Sequence, residues 1–124
     1  MKKNIQISEA ELEVLKILWK EDNLTSAQIV DELSKTTEWK NKTILTLINR
    51  LLKKKAIVAT KKDNKAYIYS SNINEEEYKQ SQSVNFINKL FNGSVSLMMT
   101  NFVKSNNISK EDIDELKRIL ESRD

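Results

Sequence analysis

The chain has 124 residues, a formal net charge of +3, and neither cysteine nor histidine. This length is enough for one domain of ordinary size or for two small ones. Without cysteine and histidine, the chain lacks the usual metal ligands, a cysteine nucleophile and the commonest general base, so any catalysis would depend on carboxylates alone. The composition therefore argues against an enzyme and against a metal or other cofactor.

The sequence contains no apolar run long enough to span a bilayer. Residues 1–6 lack the apolar core of a signal peptide. The absence of cysteine is compatible with a reducing compartment. We therefore expect a soluble, cytoplasmic protein that does not insert into a membrane.

Basic residues are concentrated in one segment. Residues 40–65 contain nine lysine or arginine residues and a single acid, Asp63, although the whole chain has 21 basic and 18 acidic residues. A basic segment in an otherwise balanced chain is typical of a surface that binds nucleic acid. The alternative is a solvated lysine face with no ligand.

Two capping boxes predict the first two helices. The box at residues 8–11 begins a helix that ends near Lys20, and the box at residues 25–28 begins a shorter helix that ends near residues 34–37. In each helix, apolar residues recur at the spacing that places them on one face. Both helices are therefore expected to pack into a common core.

The segment from Trp39 to Lys55 predicts an amphipathic third helix. Asn41 is its best N-cap by side-chain chemistry, with Lys40 as a weaker alternative. Its apolar face consists of Ile44, Leu47, Ile48 and Leu51, and its polar face of Lys42, Thr46, Asn49 and Lys53. Because Thr, Asn, Lys and Arg side chains bond phosphates and base edges, this face is predicted to enter a DNA groove.

After the third helix, the pattern changes from helical to alternating. Residues 57–60 and 66–70 predict two strands, and residues 61–65 form a lysine-rich turn between them. Three helices followed by such a hairpin are typical of a winged helix-turn-helix, in which the third helix reads the major groove and the wing contacts the backbone. The candidate DNA-binding residues are Lys40, Asn41, Lys42, Thr43, Leu45, Thr46, Asn49, Arg50, Lys53, Lys61, Lys62 and Lys65.

Residues 73–124 predict three more helices, the first ending at the only glycine, Gly93. Three short helices close little core alone, so we expect residues 73–124 to form a homodimerisation domain behind a winged-helix DNA-binding domain at residues 1–72. The fold class is thus mainly α. Alternatively, the apolar stripes fold back onto the winged helix. The candidate dimerisation residues are Phe86, Ile87, Leu90, Phe91, Val95, Met98, Met99, Phe102, Val103, Ile113, Leu116, Ile119 and Leu120.

With these residues in view, the sequence resembles the penicillinase-repressor (BlaI/MecI) family of transcriptional regulators along nearly its whole length. The resemblance depends on dispersed segments that occur in one order. These segments are residues 13–14, 17–19, 42–44, 46–51, 61–65, 85–89, 101–103 and 115–120.

The resemblance implies a dimeric winged-helix repressor that binds a pseudo-palindromic operator of β-lactam-resistance genes. In that family, a membrane sensor-protease detects β-lactam, and the repressor is then cut in its dimerisation domain. The bond that is cut matches Asn101-Phe102 in this chain. Because Phe102 lies in the apolar stripe of the fifth helix, a cut there would sever part of the predicted dimer contact.

Two departures from the family are relevant to function. Relatives commonly carry a basic side chain at the position of Leu45. In this chain, Leu45 either meets a thymine methyl group or indicates a changed operator. A copper-responsive branch binds metal through a C-terminal cysteine motif, which a chain without cysteine cannot use.

Two other functions remain open. The protein could be a repressor of the same fold that controls another regulon without a paired sensor-protease. It could also be a winged helix that binds RNA or docks onto another protein.

Overall fold

Six helices and one β-hairpin form the part of the chain that the computed structural model describes, residues 5–61 and 65–123. The predicted mainly α class and the order of three helices followed by a hairpin are confirmed. The elements are α1 (Glu9–Lys20), α2 (Ser26–Ser34), α3 (Asn41–Lys53), β1 (Ile57–Lys61), β2 (Tyr67–Ser71), α4 (Glu75–Phe91), α5 (Val95–Lys104) and α6 (Lys110–Glu121).

The first two helices begin at the predicted capping boxes. Ser8 Oγ accepts the Glu11 N–H at 3.1 Å, and the Glu11 carboxylate accepts the Ser8 N–H at 2.9 Å. Thr25 and Gln28 form the same reciprocal pair at the start of α2. These bonds satisfy N–H groups that have no partner within the helix, so both starting points are defined locally by the sequence.

The N-terminus of α3 differs from the prediction. Lys40 is the N-cap and makes no side-chain cap bond, whereas Asn41 is the first helical residue. At the other end, Lys55 has a positive φ of 64°. The Ala56 N–H donates to the Leu51 carbonyl at 2.9 Å. This left-handed turn ends α3 without a glycine and directs the chain into β1.

The two strands of the hairpin are antiparallel. β1 ends one residue later than predicted, and β2 both begins and ends one residue later than predicted. The register pairs Ile57 with Ser71 and Lys61 with Tyr67. On the other side of β2, Leu24 and Tyr69 exchange backbone hydrogen bonds of 2.7 and 3.1 Å. The hairpin is therefore attached to the segment that connects α1 and α2.

The core of this part lies between the first three helices and the start of β1. Three leucine or isoleucine side chains of α3 are at most 1% exposed, and Ile57 carries the same packing into β1. The buried apolar residues are Val14, Leu15, Leu18, Leu24, Ile29, Leu33, Ile44, Leu47, Ile48, Leu51, Ala56 and Ile57. Their burial is the main source of stability for these elements.

Trp19 joins α1 to the chain beyond the hairpin. Its indole Nε1–H donates to Ser71 Oγ at 3.0 Å and to the Ile73 carbonyl at 2.9 Å. Its ring lies 5.7 Å from that of Tyr78, measured between centroids. Burial of Tyr78 beside this ring raises the pKa of its phenol. The end of the hairpin and the start of α4 are thus held on α1.

The chain divides into two compact units, Met1–Tyr78 and Lys79–Asp124. In the second unit, Ser94 caps α5 and Ser109 forms a capping box with Asp112 at the start of α6. No residue of α4, α5 or α6 is buried. The assignment of residues 1–72 to DNA binding and residues 73–124 to dimerisation remains a proposal.

A buried carboxylate connects the start of α1 to the end of α3. Glu11 is only 2% exposed, and Lys54 Nζ donates to its carboxylate and to the Gln6 carbonyl, the latter at 2.7 Å. Burial acts to raise the pKa of Glu11, but the hydrogen bonds from Lys54 and Ser8 outweigh it, so the pKa lies below the ordinary 4.5. The charged form is therefore the one that the fold stabilises.

We expect Glu11→Gln to lower the free energy of unfolding at pH 7 by about 1–2 kcal/mol, because the ion pair is lost and Lys54 is partly exposed to water. A depressed pKa stabilises the fold above the unfolded-state value and loses this effect as pH falls through the folded value. Urea unfolding should thus show a smaller difference at pH 3 than at pH 7.

Glu13→Gln is the matched control, because Glu13 lies on the same helix and pairs with Lys16 at 3.4 Å in an exposed position. Its effect should stay within about 0.5 kcal/mol. Equal losses in the two variants would contradict a structural role for the Glu11 pair.

Candidate nucleic-acid interface

α3 exposes its polar face because its apolar face is packed in the core. Ile44, Leu47, Ile48 and Leu51 are at most 4% exposed, so the helix cannot rotate without exposing them. Every candidate DNA-binding residue on or next to this helix is exposed. These residues are Lys40, Asn41, Lys42, Thr43, Leu45, Thr46, Asn49, Arg50 and Lys53.

Thr46 is already hydrogen-bonded within α3. Its hydroxyl donates to the Lys42 carbonyl at 2.9 Å. The hydroxyl proton is therefore occupied, and the group can offer an outside ligand only its oxygen lone pairs and its methyl group. Asn49 lies nearby on the same face, where its amide can both donate and accept.

The wing places two of its three predicted lysines at the surface. Lys61 ends β1, and its Nζ lies 5.5 Å from the centre of the Tyr67 ring on the paired strand. Such a contact is worth about 0.5–1 kcal/mol when exposed, so it orients the ammonium group without preventing a phosphate contact. Lys65 is exposed. Lys62 lies outside the described residues.

Not all lysines of the basic segment are available to a ligand. Lys54 is held by Glu11 and by the Gln6 carbonyl, so its charge is used inside the protein. The two ends of this ion pair are 43 residues apart, and no local spacing predicts such a contact. The only signal was Glu11 itself, an acid among the apolar residues of α1.

The candidate dimerisation residues lie on α4, α5 and α6, where six of the thirteen are exposed and the other seven are half-buried. Leu90 is 58% exposed, Val95 is 55% and Leu120 is 62%. Half-buried positions include Phe102, Ile113 and Leu116. The remaining candidates are Phe86, Ile87, Phe91, Met98, Met99, Val103 and Ile119, of which Phe86 and Phe91 place their ring centroids 5.9 Å apart. Each carries apolar surface that water can reach.

The candidate cleavage bond lies inside α5. The Asn101 side chain is exposed. The backbone carbonyl of Asn101 accepts the Ser105 N–H at 3.1 Å. The Phe102 carbonyl accepts the Asn107 N–H at 3.2 Å and the Ser105 hydroxyl at 3.0 Å. The bond is therefore held in helical geometry on both sides.

Neither a metal site nor a membrane span is found in the described ranges. Residues 5–61 and 65–123 contain no group of three His, Cys, Asp or Glu side chains placed to hold a metal ion. Among the same residues, no helix is long and apolar enough to cross a bilayer.

Comparison with known proteins identifies relatives along nearly the whole chain. The penicillinase repressor of Bacillus licheniformis is 42% identical over 121 residues, which cover 98% of this chain and 94% of that protein. The methicillin resistance regulatory protein MecI of Staphylococcus aureus strain N315 is 39% identical over 121 residues, 98% of each chain.

A solved structure matches a large part of the chain. It is the solution structure of monomeric BlaI from Bacillus licheniformis in complex with the blaP half-operator, with 45% identity and a TM-score of 0.55. The match covers 63% of this chain and 94% of that chain. The family model described as penicillinase repressor matches residues 7–122. The chain therefore belongs to the penicillinase repressor family, as its sequence motifs predicted.

Proposed function

We propose that this protein is a homodimeric transcriptional repressor that binds a pseudo-palindromic DNA operator of β-lactam-resistance genes. The main observation is the exposed polar face of α3, fixed by the burial of its opposite face. The 45% identity to a BlaI domain solved with a half-operator supports DNA as the ligand. Membership of a repressor family also confirms the prediction that the chain is not an enzyme.

The candidate residues divide into two roles. Lys42, Thr46 and Asn49 occupy the exposed face of α3 and would read bases in the major groove. Lys61 and Lys65 belong to the wing and would contact phosphates of the flanking backbone. Base contacts give specificity, whereas phosphate contacts give affinity that decreases with salt.

We expect Asn49→Ala to reduce the preference for operator over random DNA by about ten-fold, because a lost bidentate base contact costs about 1–3 kcal/mol. Lys65→Ala should instead weaken binding to operator and random DNA equally. It should also lower the slope of log affinity against log salt by about 1. Fluorescence anisotropy with the two duplexes at several salt concentrations measures both effects.

Lys117→Ala on α6 is the matched control, since Lys117 is also an exposed lysine and lies far along the chain from the wing. It should change neither quantity. If Asn49→Ala weakened operator and random DNA equally, α3 would not be the recognition helix. Tighter binding to RNA of the same sequence than to the DNA duplex would favour the RNA-binding alternative.

The C-terminal helices support the proposed homodimer. Their apolar side chains follow helical spacing, but none of them is buried within the chain. Apolar surface of this extent marks a site of association, and a second copy offers the same surface in a closed symmetric pair. Dimerisation would in turn strengthen operator binding, because two linked recognition helices act at a high effective concentration.

We expect Leu120→Glu to weaken dimerisation at least ten-fold, because a charge placed in an apolar interface is desolvated without a partner. Leu120 is 62% exposed in the single chain, so the change should not disturb the fold of the protomer. Phe102→Asp should have the same effect. Sedimentation velocity at low concentration measures the fraction of dimer.

Ser96→Glu provides the control, because Ser96 is an exposed polar residue on α5. It should sediment as the unchanged protein does. If Leu120→Glu and Phe102→Asp also retained the wild-type profile, the dimer would have to form through another surface.

We further propose that a membrane sensor-protease relieves repression by cutting the Asn101-Phe102 bond. Proteases bind their substrates in extended form, whereas the Asn101 carbonyl of this bond and the next carbonyl, that of Phe102, both accept hydrogen bonds within or after α5. Local opening of α5 must therefore precede the cut. The cut would separate residues 102–124 from the rest of the chain.

In cells exposed to β-lactam, the protein should be converted to a fragment ending at Asn101, and occupancy of its operator should decrease. Asn101→Ala should stay intact, while Asn107→Ala, outside α5, should be cut normally. Mass spectrometry of the recovered protein identifies the bond. An intact wild-type protein that nonetheless occupies DNA would favour a repressor of another regulon without a paired protease.

A further inference from the structure

Leu45 differs chemically from its surroundings on α3. Along this helix, every residue of which is described, Leu45 is the only large apolar side chain that is exposed, at 42%. Single exposed leucines are common on protein surfaces and by themselves indicate nothing. The position of Leu45 within the proposed recognition face is what gives this leucine a specific meaning.

Leu45 lies in the half of the helix that reads bases. It follows Lys42 by three residues and precedes Asn49 by four, so the three side chains are neighbours on one face. In helix-turn-helix proteins, the N-terminal residues of the recognition helix contact base edges. Ile44, which precedes Leu45, and Ile48, three residues after it, are at most 1% exposed. Their burial fixes the rotation of α3 and therefore the side of the helix on which Leu45 lies.

The chemistry of the major groove restricts what Leu45 can recognise. The base edges present hydrogen-bond donors and acceptors, and the one apolar group among them is the C5-methyl group of thymine. A leucine against a donor or acceptor would remove that group from water without replacing its hydrogen bond, at a cost in affinity. The same side chain therefore favours thymine and disfavours the other bases.

The hydroxyl of the next residue, Thr46, is already engaged within α3. Because the Thr46 hydroxyl donates to the Lys42 carbonyl, it cannot donate to a base while that bond is kept. Leu45 and Thr46 precede Asn49 by four and three residues, so each is a neighbour of Asn49 on the exposed side of α3. We propose that Leu45 reads the methyl group of a thymine in each operator half-site, an inference that rests on the DNA-binding function proposed above.

The test begins with the full-length protein and a pool of randomised DNA duplexes. After the preferred site has been selected, each thymine on either strand is replaced singly by uracil, which lacks the methyl group. We expect one thymine per half-site at which this change weakens binding about four-fold, the effect of one buried methyl group. Leu45→Ala should bind the thymine site more weakly and should not respond to uracil at that position.

Val58→Ala is the matched control, because Val58 is also 42% exposed but lies on β1. It should retain the wild-type response to every uracil. If Leu45→Ala responded to uracil as strongly as the wild type at every position, the inference would be overturned while specific DNA binding stood. A pool in which no sequence was enriched would overturn the DNA-binding proposal and this inference together.

A change of specificity gives a second measurement. Leu45→Arg introduces a side chain that bonds guanine O6 and N7 in the same groove. Selection with this variant should replace thymine by guanine at the position that Leu45 reads. Unchanged melting temperatures are expected for both Leu45 variants because the side chain is not part of the core. Continued selection of thymine by the arginine variant would overturn the inference.

Discussion

The packing of the inner side of α3 determines what its outer side can do. Ile44, Ile48 and Leu51 are at most 1% exposed, and they lie in one core with the helices α1 and α2 and the first residue of β1. Turning α3 by one residue would bury polar or charged side chains without partners, at a cost of several kcal/mol. The core therefore fixes which face of α3 is exposed, the face that we propose reads DNA.

The C-terminal end of α3 is fixed by polar contacts, and these contacts divide the basic segment into two groups. Lys54 is bound to Glu11 and anchors the end of α3 on α1, whereas Lys53 and Arg50 remain exposed. Lys61 is partly restrained, because its contact with Tyr67 orients the side chain without burying it. The number of lysines in a segment thus overestimates the charge available to a nucleic acid.

The sequence predicted the fold where the determining interactions are local. Capping boxes at Ser8 and Thr25 and the helical spacing of apolar residues gave the helices and the exposed face of α3 correctly. It ranked the two N-cap candidates of α3 in the wrong order, because Asn41 is helical although its side chain suits a cap, and Lys40 is the N-cap. It also missed the Glu11 pair, because tertiary contacts between distant residues leave no local pattern.

The two parts of the chain differ in how far their apolar side chains are buried. In the first part, residues such as Leu15 and Ile29 are fully buried, and most of the exposed side chains of α3 are polar. In the second part, residues such as Leu90 and Leu120 are more than half exposed, and a second copy would have to cover them. In the proposed dimer, operator affinity would therefore depend on the apolar surface of α4, α5 and α6 as well as on α3. A cut within α5 would then act on this surface, without altering any base-reading side chain.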